Sequence, residues 1–266
     1  MPLNTHYDSC IRRYAILLFV ATLFQFSCSR FVGKFPGKAL EAIDPETQNL
    51  VLALKEKNSD LKTFKGLGKI KWVDKGKKYR TRIAWIGSTT GELRLEMFGT
   101  GGQMLVSIAT DGKYVYFFSH SQGRFAKTRS TEKSLQNIIS IPISIHDVVL
   151  LLSGRLPFRA HYMATLGDRD AKPGSVLVLK DKRGNLVEKI YLDSEKMIAD
   201  EIEIYGFGES LKYRARFEKV RTVNGYQVPF RLFILNDGDS KFELDVDKFW
   251  TDVSVSPKMF VLKPPR

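Results

Sequence analysis

Apolar and polar residues alternate with a period of two from Gly68 almost to the C-terminus, and this pattern limits the fold more than any other feature of the chain. Ile70 and Trp72 oppose Lys69 and Lys71, while Tyr79, Thr81, Ile83 and Trp85 oppose Arg80 and Arg82. Leu93, Leu95 and Met97 oppose Glu92, Arg94 and Glu96, and apolar strands follow near 104–109 and 113–119. The alternation resumes with Leu186, Ile190 and Leu192; Ile202 and Ile204; Tyr213, Ala215 and Phe217; Val228, Phe230, Leu232 and Ile234; and Phe242, Leu244 and Val246. Thr90-Gly91, Asp111-Gly112, Asn224-Gly225 and Asp237-Gly238 mark tight hairpins between successive strands. Roughly eleven antiparallel strands with one apolar face are too many for a flat open sheet. The sheet is expected to curl into a single unclosed barrel, mainly β, with helices on its concave face.

Two segments break the alternation. Asp44 and Pro45 have the residue types of an N-cap and a first helical turn, and Leu50, Val51, Leu54 and Leu61 recur at helical spacing, predicting a helix over 45–57. Between the two groups of strands, residues 130–156 crowd apolar side chains together as an internal plug. Thr131 is placed to cap one helix through Leu135, Ile138 and Ile139, which Pro142 ends. Ser144 is placed to cap a second, running through Val148, Val149, Leu150, Leu151 and Leu152 to Gly154. A helix apolar nearly all round is enclosed by other elements, and this one is too short to cross a bilayer.

The N-terminus carries Arg12-Arg13, an apolar run over 14–26, Ser27 and then Cys28, the order of a secretory signal with a lipoprotein-type cysteine. The expected division is a signal peptide over 1–27, a basic tether over 28–43 and one folded domain over 44–266. Lipid attachment is expected at Cys28, although Gln25 and Phe26 stand where such signals usually carry leucine and a small residue. An ordinary secreted chain with an incidental cysteine, or an uncleaved apolar anchor, are the alternatives. Cys10 leaves with the signal, so the mature chain has no pair for a disulfide. Formal net charge is +13, and +12 once Asp8, Arg12 and Arg13 are removed. In an envelope setting such charge favours anionic lipids or wall polymers, with nucleic acid excluded by compartment; dispersed solubilising charge is the plainer reading.

Catalytic chemistry finds little support. His120, His146 and His161 form no metal-ligand pair, no second cysteine completes a zinc site, and neither a Gly-x-Ser-x-Gly elbow nor a phosphate-binding loop occurs. Asp168 and Asp170 lie in a stretch, 167–174, that reads as a solvated loop, and Gly206-Phe207-Gly208 reads as a turn. No enzyme, cofactor or metal is expected; an envelope hydrolase would need polar groups clustered in an apolar cavity.

The order of these elements, with Leu95-Glu96-Met97-Phe98-Gly99-Thr100-Gly101-Gly102-Gln103 and Leu150-Leu151-Leu152-Ser153-Gly154-Arg155-Leu156-Pro157, resembles the superfamily of the outer-membrane lipoprotein receptor LolB and its periplasmic carrier relative LolA. Residues 220–230 and 255–264 resemble its closing strands. The resemblance implies an unclosed barrel whose hydrophobic interior takes acyl chains of lipoproteins or phospholipid, on a monomer held by its N-terminal lipid at the outer membrane and facing the periplasm. Trp72, Ile83, Trp85, Leu93, Leu95, Met97, Tyr213, Phe217, Phe230 and Phe242 are then candidates to line the cavity, and Val148, Val149, Leu151 and Leu152 to form a lid helix. Core packing is the plainer use for each of the ten lining candidates. Phe98, Gly99, Thr100, Gly101 and Gly102 correspond to the membrane-facing loop, but Gly101 stands where the receptor type exposes a leucine. That departure removes the residue implicated in delivering cargo. A non-catalytic assembly lipoprotein with the same fold and a filled core is the alternative.

Overall fold

A computed structural model describes residues 44–264 apart from 75, 132–134, 136–139, 171, 195–197 and 239. The signal peptide, Cys28, the tether, Ile138 and Ile139 lie outside the described residues.

Helix α1, Pro45–Glu56, begins at Asp44, whose Oδ2 accepts a hydrogen bond from the Thr47 amide at 3.1 Å. It presents Val51 and Leu54 to the core. Six strands follow as a meander: β1 Thr63–Asp74, β2 Lys77–Ser88, β3 Glu92–Phe98, β4 Met104–Asp111, β5 Tyr114–Ser119 and β6 Arg124–Arg129. Helix α2, Ile145–Leu152, separates these from a second meander. The second comprises β7 Met163–Asp168, β8 Ser175–Lys180, β9 Leu186–Leu192, β10 Ala199–Tyr205, β11 Leu211–Val223, β12 Tyr226–Leu235 and β13 Lys241–Thr251. A short helical turn, Pro257–Phe260, closes the chain.

All thirteen strands form one antiparallel sheet in the order β6-β5-β4-β3-β2-β1-β13-β12-β11-β10-β9-β8-β7. The first and last strands pair at its centre, so the two free edges, β6 and β7, are joined by the segment that carries α2. The sheet curls without closing, and the helices cover its concave side. Phe64, Ile70, Trp85, Leu93, Ile108, Leu177, Ile190, Ile202, Leu232 and Leu244 form one continuous core with Val51 and Leu54 of α1 and Val149 and Leu151 of α2. The tight turn expected between β11 and β12 is present: Asn224 and Gly225 have φ of 49° and 87°, the pair of positive values a type I′ hairpin needs.

The outer face is polar and matched across strands. Lys71 Nζ lies 3.0 Å from Glu243, Arg231 Nε 2.6 Å from Asp245, and Arg216 Nε 3.0 Å from Glu201. The terminal turn covers an apolar part of this face: Phe260 is buried where that turn lies against β3 and β4, and Arg94 Nη1 donates to the Met259 carbonyl at 3.2 Å.

Thirteen strands replace the roughly eleven expected, because β6, β7 and β8 lack a readable alternation. β6 and β7 are edge strands with mostly exposed side chains, and β8 is apolar on both faces. The stretch read as a solvated loop over 167–174 is also corrected. Gly167 and Asp168 belong to β7, and the Arg169 side chain is buried against Asp200 at 2.8 Å.

Candidate functional site

A cavity of about 810 Å³ lies at one end of the half-barrel. Its position follows from strand lengths. Pairing between β2 and β3 stops at Arg82 opposite Phe98, whereas β1 and β2 remain paired as far as Asp74 opposite Lys77. Residues 77–81 of β2 therefore run past the end of β3 and leave an opening there. The loop 99–103 turns back over this opening, closed by hydrogen bonds from the Gly99 amide to the Gln103 carbonyl at 2.8 Å and from the Gly102 amide to the Gly99 carbonyl at 3.0 Å. Thr81 Oγ1 donates to the Phe98 carbonyl and ties the loop's first strand to β2.

The cavity wall is aromatic and aliphatic. Trp72 and Tyr79, opposite each other on β1 and β2, stack with ring centroids 4.7 Å apart and planes 13° from parallel. Met97, Leu105, Val106, Phe117 and Phe242 complete the apolar wall, while Lys69, Arg80 and Arg82 stand among the residues at the mouth. The volume lies within the range of about 300–1,000 Å³ typical of small-molecule sites. What such a wall can do is exchange water for hydrocarbon. It offers few polar groups, Thr81, Thr100 and Gln103 among them, to orient a reacting atom.

Of the ten side chains that the sequence offers as lining, Trp72, Met97 and Phe242 meet at this cavity. Ile83, Trp85, Leu93, Tyr213, Phe217 and Phe230 are buried in the continuous core, and Leu95 packs against it. From the loop, Phe98, Gly99 and Thr100 line the cavity; Gly101 does not, and Gly102 borders a smaller hollow beside Arg82 and Lys248. In α2, Val149, Leu151 and Leu152 are buried and Val148 packs against the core. Tyr79, Val106 and Phe117 line the cavity without having been singled out from the sequence. The alternation puts all three on the inward face, but only the missing stretch of β3 shows that this inward face opens to a hollow.

A second, wholly different constellation lies beneath α2. Arg159 spans Asp147 of α2 with a two-pronged ion pair, Nη1 to Oδ1 at 3.0 Å and Nη2 to Oδ2 at 2.6 Å. Its backbone amide donates to Glu188 Oε2 of β9 at 2.8 Å. Glu188 is fully buried, and burial pushes its carboxyl up to about 8 even though the Arg159 amide and charge act in the opposite direction. The Tyr213 phenol, enclosed beside the same groups, is raised well above its ordinary value by burial and then by the Asp147 charge. The Asp147 carboxylate and the Arg159 guanidinium are spent on one another here, which suits a clamp holding α2 to the sheet, whereas Glu188 Oε1 is buried without a hydrogen-bond partner among the described residues. Among the described residues, no three or more His, Cys, Asp and Glu side chains are grouped to hold a metal ion.

A long antiparallel sheet curled around a short apolar helix, with a hollow at one end, is a LolA-like fold. Solved structures share it. A LolA superfamily protein from Nitrosomonas europaea superimposes with a TM-score of 0.56 at 14% identity, covering 81% of this chain and 97% of that one. A DUF1329 family protein from Desulfovibrio piger ATCC 29098 gives 0.57 at 10% identity, covering 82% and 98%. A chain from Vibrio parahaemolyticus, described as an outer membrane lipoprotein-sorting protein domain, gives 0.56 at 9% identity, covering 81% and 96%. No protein-family model and no curated protein matches the sequence. Identities this low establish a shared fold and nothing finer.

Proposed function

We propose that this protein is a non-catalytic envelope lipoprotein that binds acyl chains of lipoproteins or lipids in the cavity at the end of β2 and β3, in transport to or insertion at the outer membrane. The observation that carries this reading is the apolar hollow of about 810 Å³, walled by Trp72, Tyr79, Met97, Phe117 and Phe242. Each methylene moved from water into such a wall contributes about 0.8 kcal/mol, so a partly enclosed chain competes with a bilayer and passes between carriers by small differences in affinity. Cys28 carries the lipid anchor in this reading, the folded domain faces the periplasm as a monomer, and the LolA-like fold of proteins described as sorting outer-membrane lipoproteins is consistent with the role.

The test is native mass spectrometry of the protein extracted from bacterial envelope. Bound acylated species, lost on Met97→Arg in a chain that still folds, are the expected result. A ligand-free chain that also fails to take up acylated peptide would overturn the carrier reading. It would leave a lipid-anchored assembly scaffold, which the packing of Ile83, Trp85, Leu93, Tyr213, Phe217 and Phe230 into one core favours.

A further inference from the structure

The mouth of the cavity differs in charge from the rest of the sheet's outer face. Several arginines elsewhere on the central strands meet a carboxylate: Arg94 with Glu96 at 2.6 Å, Arg214 with Glu201 at 3.2 Å, Arg216 with Glu201 at 3.0 Å, and Arg231 with Asp245 at 2.6 Å, while Arg221 lies over the Phe230 ring. Arg80 and Arg82 have neither kind of partner. Both are exposed, both line the cavity, and among the described residues neither has an ion-pair or hydrogen-bond partner. Lys69, beside Arg82 across the β1–β2 ladder, reaches Asp247 only at 3.5 Å with both side chains about half exposed, a weak pairing.

Strand geometry brings the two guanidinium groups together. Residues two apart on a strand point to the same side, with backbones about 6.5 Å apart. Because β3 ends at Phe98, no strand pairs with residues 77–81 on that side of β2, and the outward arginines reach the rim of a hollow whose floor is made by the inward residues of the same strand. A guanidinium offers a planar fork of donors that matches the oxygens of a phosphate, and two forks side by side fit one phosphodiester better than one carboxylate.

We infer that the molecule this cavity takes is an anionic glycerophospholipid, with an acyl chain against Trp72, Met97 and Phe242 and its phosphate on Arg80 and Arg82. The inference rests on the acyl-binding reading of the cavity and adds the headgroup to it. A thioether-linked diacylglycerol on a lipoprotein carries no phosphate, so the arginine pair discriminates between two kinds of acylated cargo that an apolar wall alone treats alike.

Photocrosslinking tests this with the full-length chain in vesicles of neutral lipid, doped at equal mole fraction with phosphatidylglycerol or phosphatidylcholine bearing a diazirine on one acyl chain. Labelling is mapped to peptides containing Trp72, Met97 and Phe242. The expected result is cavity labelling about thirtyfold stronger with phosphatidylglycerol, from about one kcal/mol for each of the two basic groups at an anionic headgroup. In Arg80→Gln/Arg82→Gln that preference falls to parity, and Arg124→Gln, on the far edge strand, keeps the wild-type ratio. Equal cavity labelling by both probes in the wild type overturns the headgroup assignment and leaves the acyl cavity standing. Preference that survives the double substitution overturns the role of the two arginines. Absence of cavity labelling by either probe overturns the acyl-binding reading itself, and the headgroup assignment with it.

Discussion

Asp147 and Arg159 hold helix α2 in place through an ion pair whose two halves live in different surroundings: the carboxylate is 1% exposed and the guanidinium 30%. This asymmetry predicts unequal costs. Arg159→Met strands a charged carboxylate beneath the helix, next to Tyr213 and Glu188, and breaking a buried pair in this way costs about 3–5 kcal/mol. Asp147→Asn leaves Arg159 free to turn its head toward water, and is expected to cost less than half as much. Urea unfolding of both variants checks the order. Equal losses would show that the pair is too solvated for the distinction to hold.

Glu188 gives stability an unusual pH dependence. Its carboxyl is pushed up to about 8 in the folded chain by burial, against 4.5 for a free glutamic acid. Between these values the native state holds a proton that the unfolded chain has released, so stability falls as pH rises from about 4.5 to 8 and then levels off. Carboxylates lowered by the fold act in another window. At Glu203 burial is outweighed by hydrogen bonds from Tyr205, Arg214 and Tyr191, and its contribution is complete above 4.5 and lost only as pH falls toward its lowered value. Stability measured by denaturant at pH 5, 6, 7 and 8 is expected to drop by a few kcal/mol across the series, and Glu188→Gln to flatten it. A wild-type profile already flat over this range would refute the assignment.

Gly66 of β1 faces Trp85 of β2, and the indole occupies the space where a side chain would stand: a Cβ at residue 66 would lie 2.1 Å from the ring. Gly66→Ala is therefore expected to displace Trp85 and cost about 1–3 kcal/mol, as overpacking of a filled core does. Trp85→Leu in the same chain restores part of that loss. The double-mutant cycle in urea measures the coupling, and strict additivity of the two substitutions would argue against contact.

Much of this architecture is legible in the order of the residues alone. Period-two alternation places Ile70, Trp85, Leu93 and Leu244 inward, because a half-buried antiparallel strand leaves that signature. Asp44 and Ser144 cap their helices as their residue types require, with the Asp147 amide donating to Ser144 Oγ at 3.0 Å. Gly154 ends α2 at φ 74°, with the Gly154 amide on the Leu151 carbonyl and the Arg155 amide on the Leu150 carbonyl. The candidate site is less legible. Inward-facing residues of packed and hollow parts of one sheet look the same, so periodicity does not tell Tyr213 from Trp72, although one is enclosed by the core and the other lines the cavity. The hollow arises because β2 outruns β3, a difference in strand ends that periodicity does not encode. Arg169 escapes a local reading for a related reason: its partner, Asp200, is thirty-one positions away along the chain.

Val106 and Ile108 separate cavity from core within a single strand. Both point inward from β4, two positions apart, yet Val106 lines the hollow while Ile108 is 3% exposed among core side chains. A tryptophan at residue 106 has empty volume to enter, so Val106→Trp is expected to keep the wild-type unfolding midpoint within a few degrees and to abolish uptake of acylated peptide. At residue 108 the same side chain must displace its neighbours, at about 1–3 kcal/mol or more. Differential scanning calorimetry and acyl-peptide binding on the two variants read both consequences. A Val106→Trp chain that unfolds as early as Ile108→Trp would mean that the hollow closes in solution; one that stays stable and still binds would move the acyl site away from Trp72 and Tyr79.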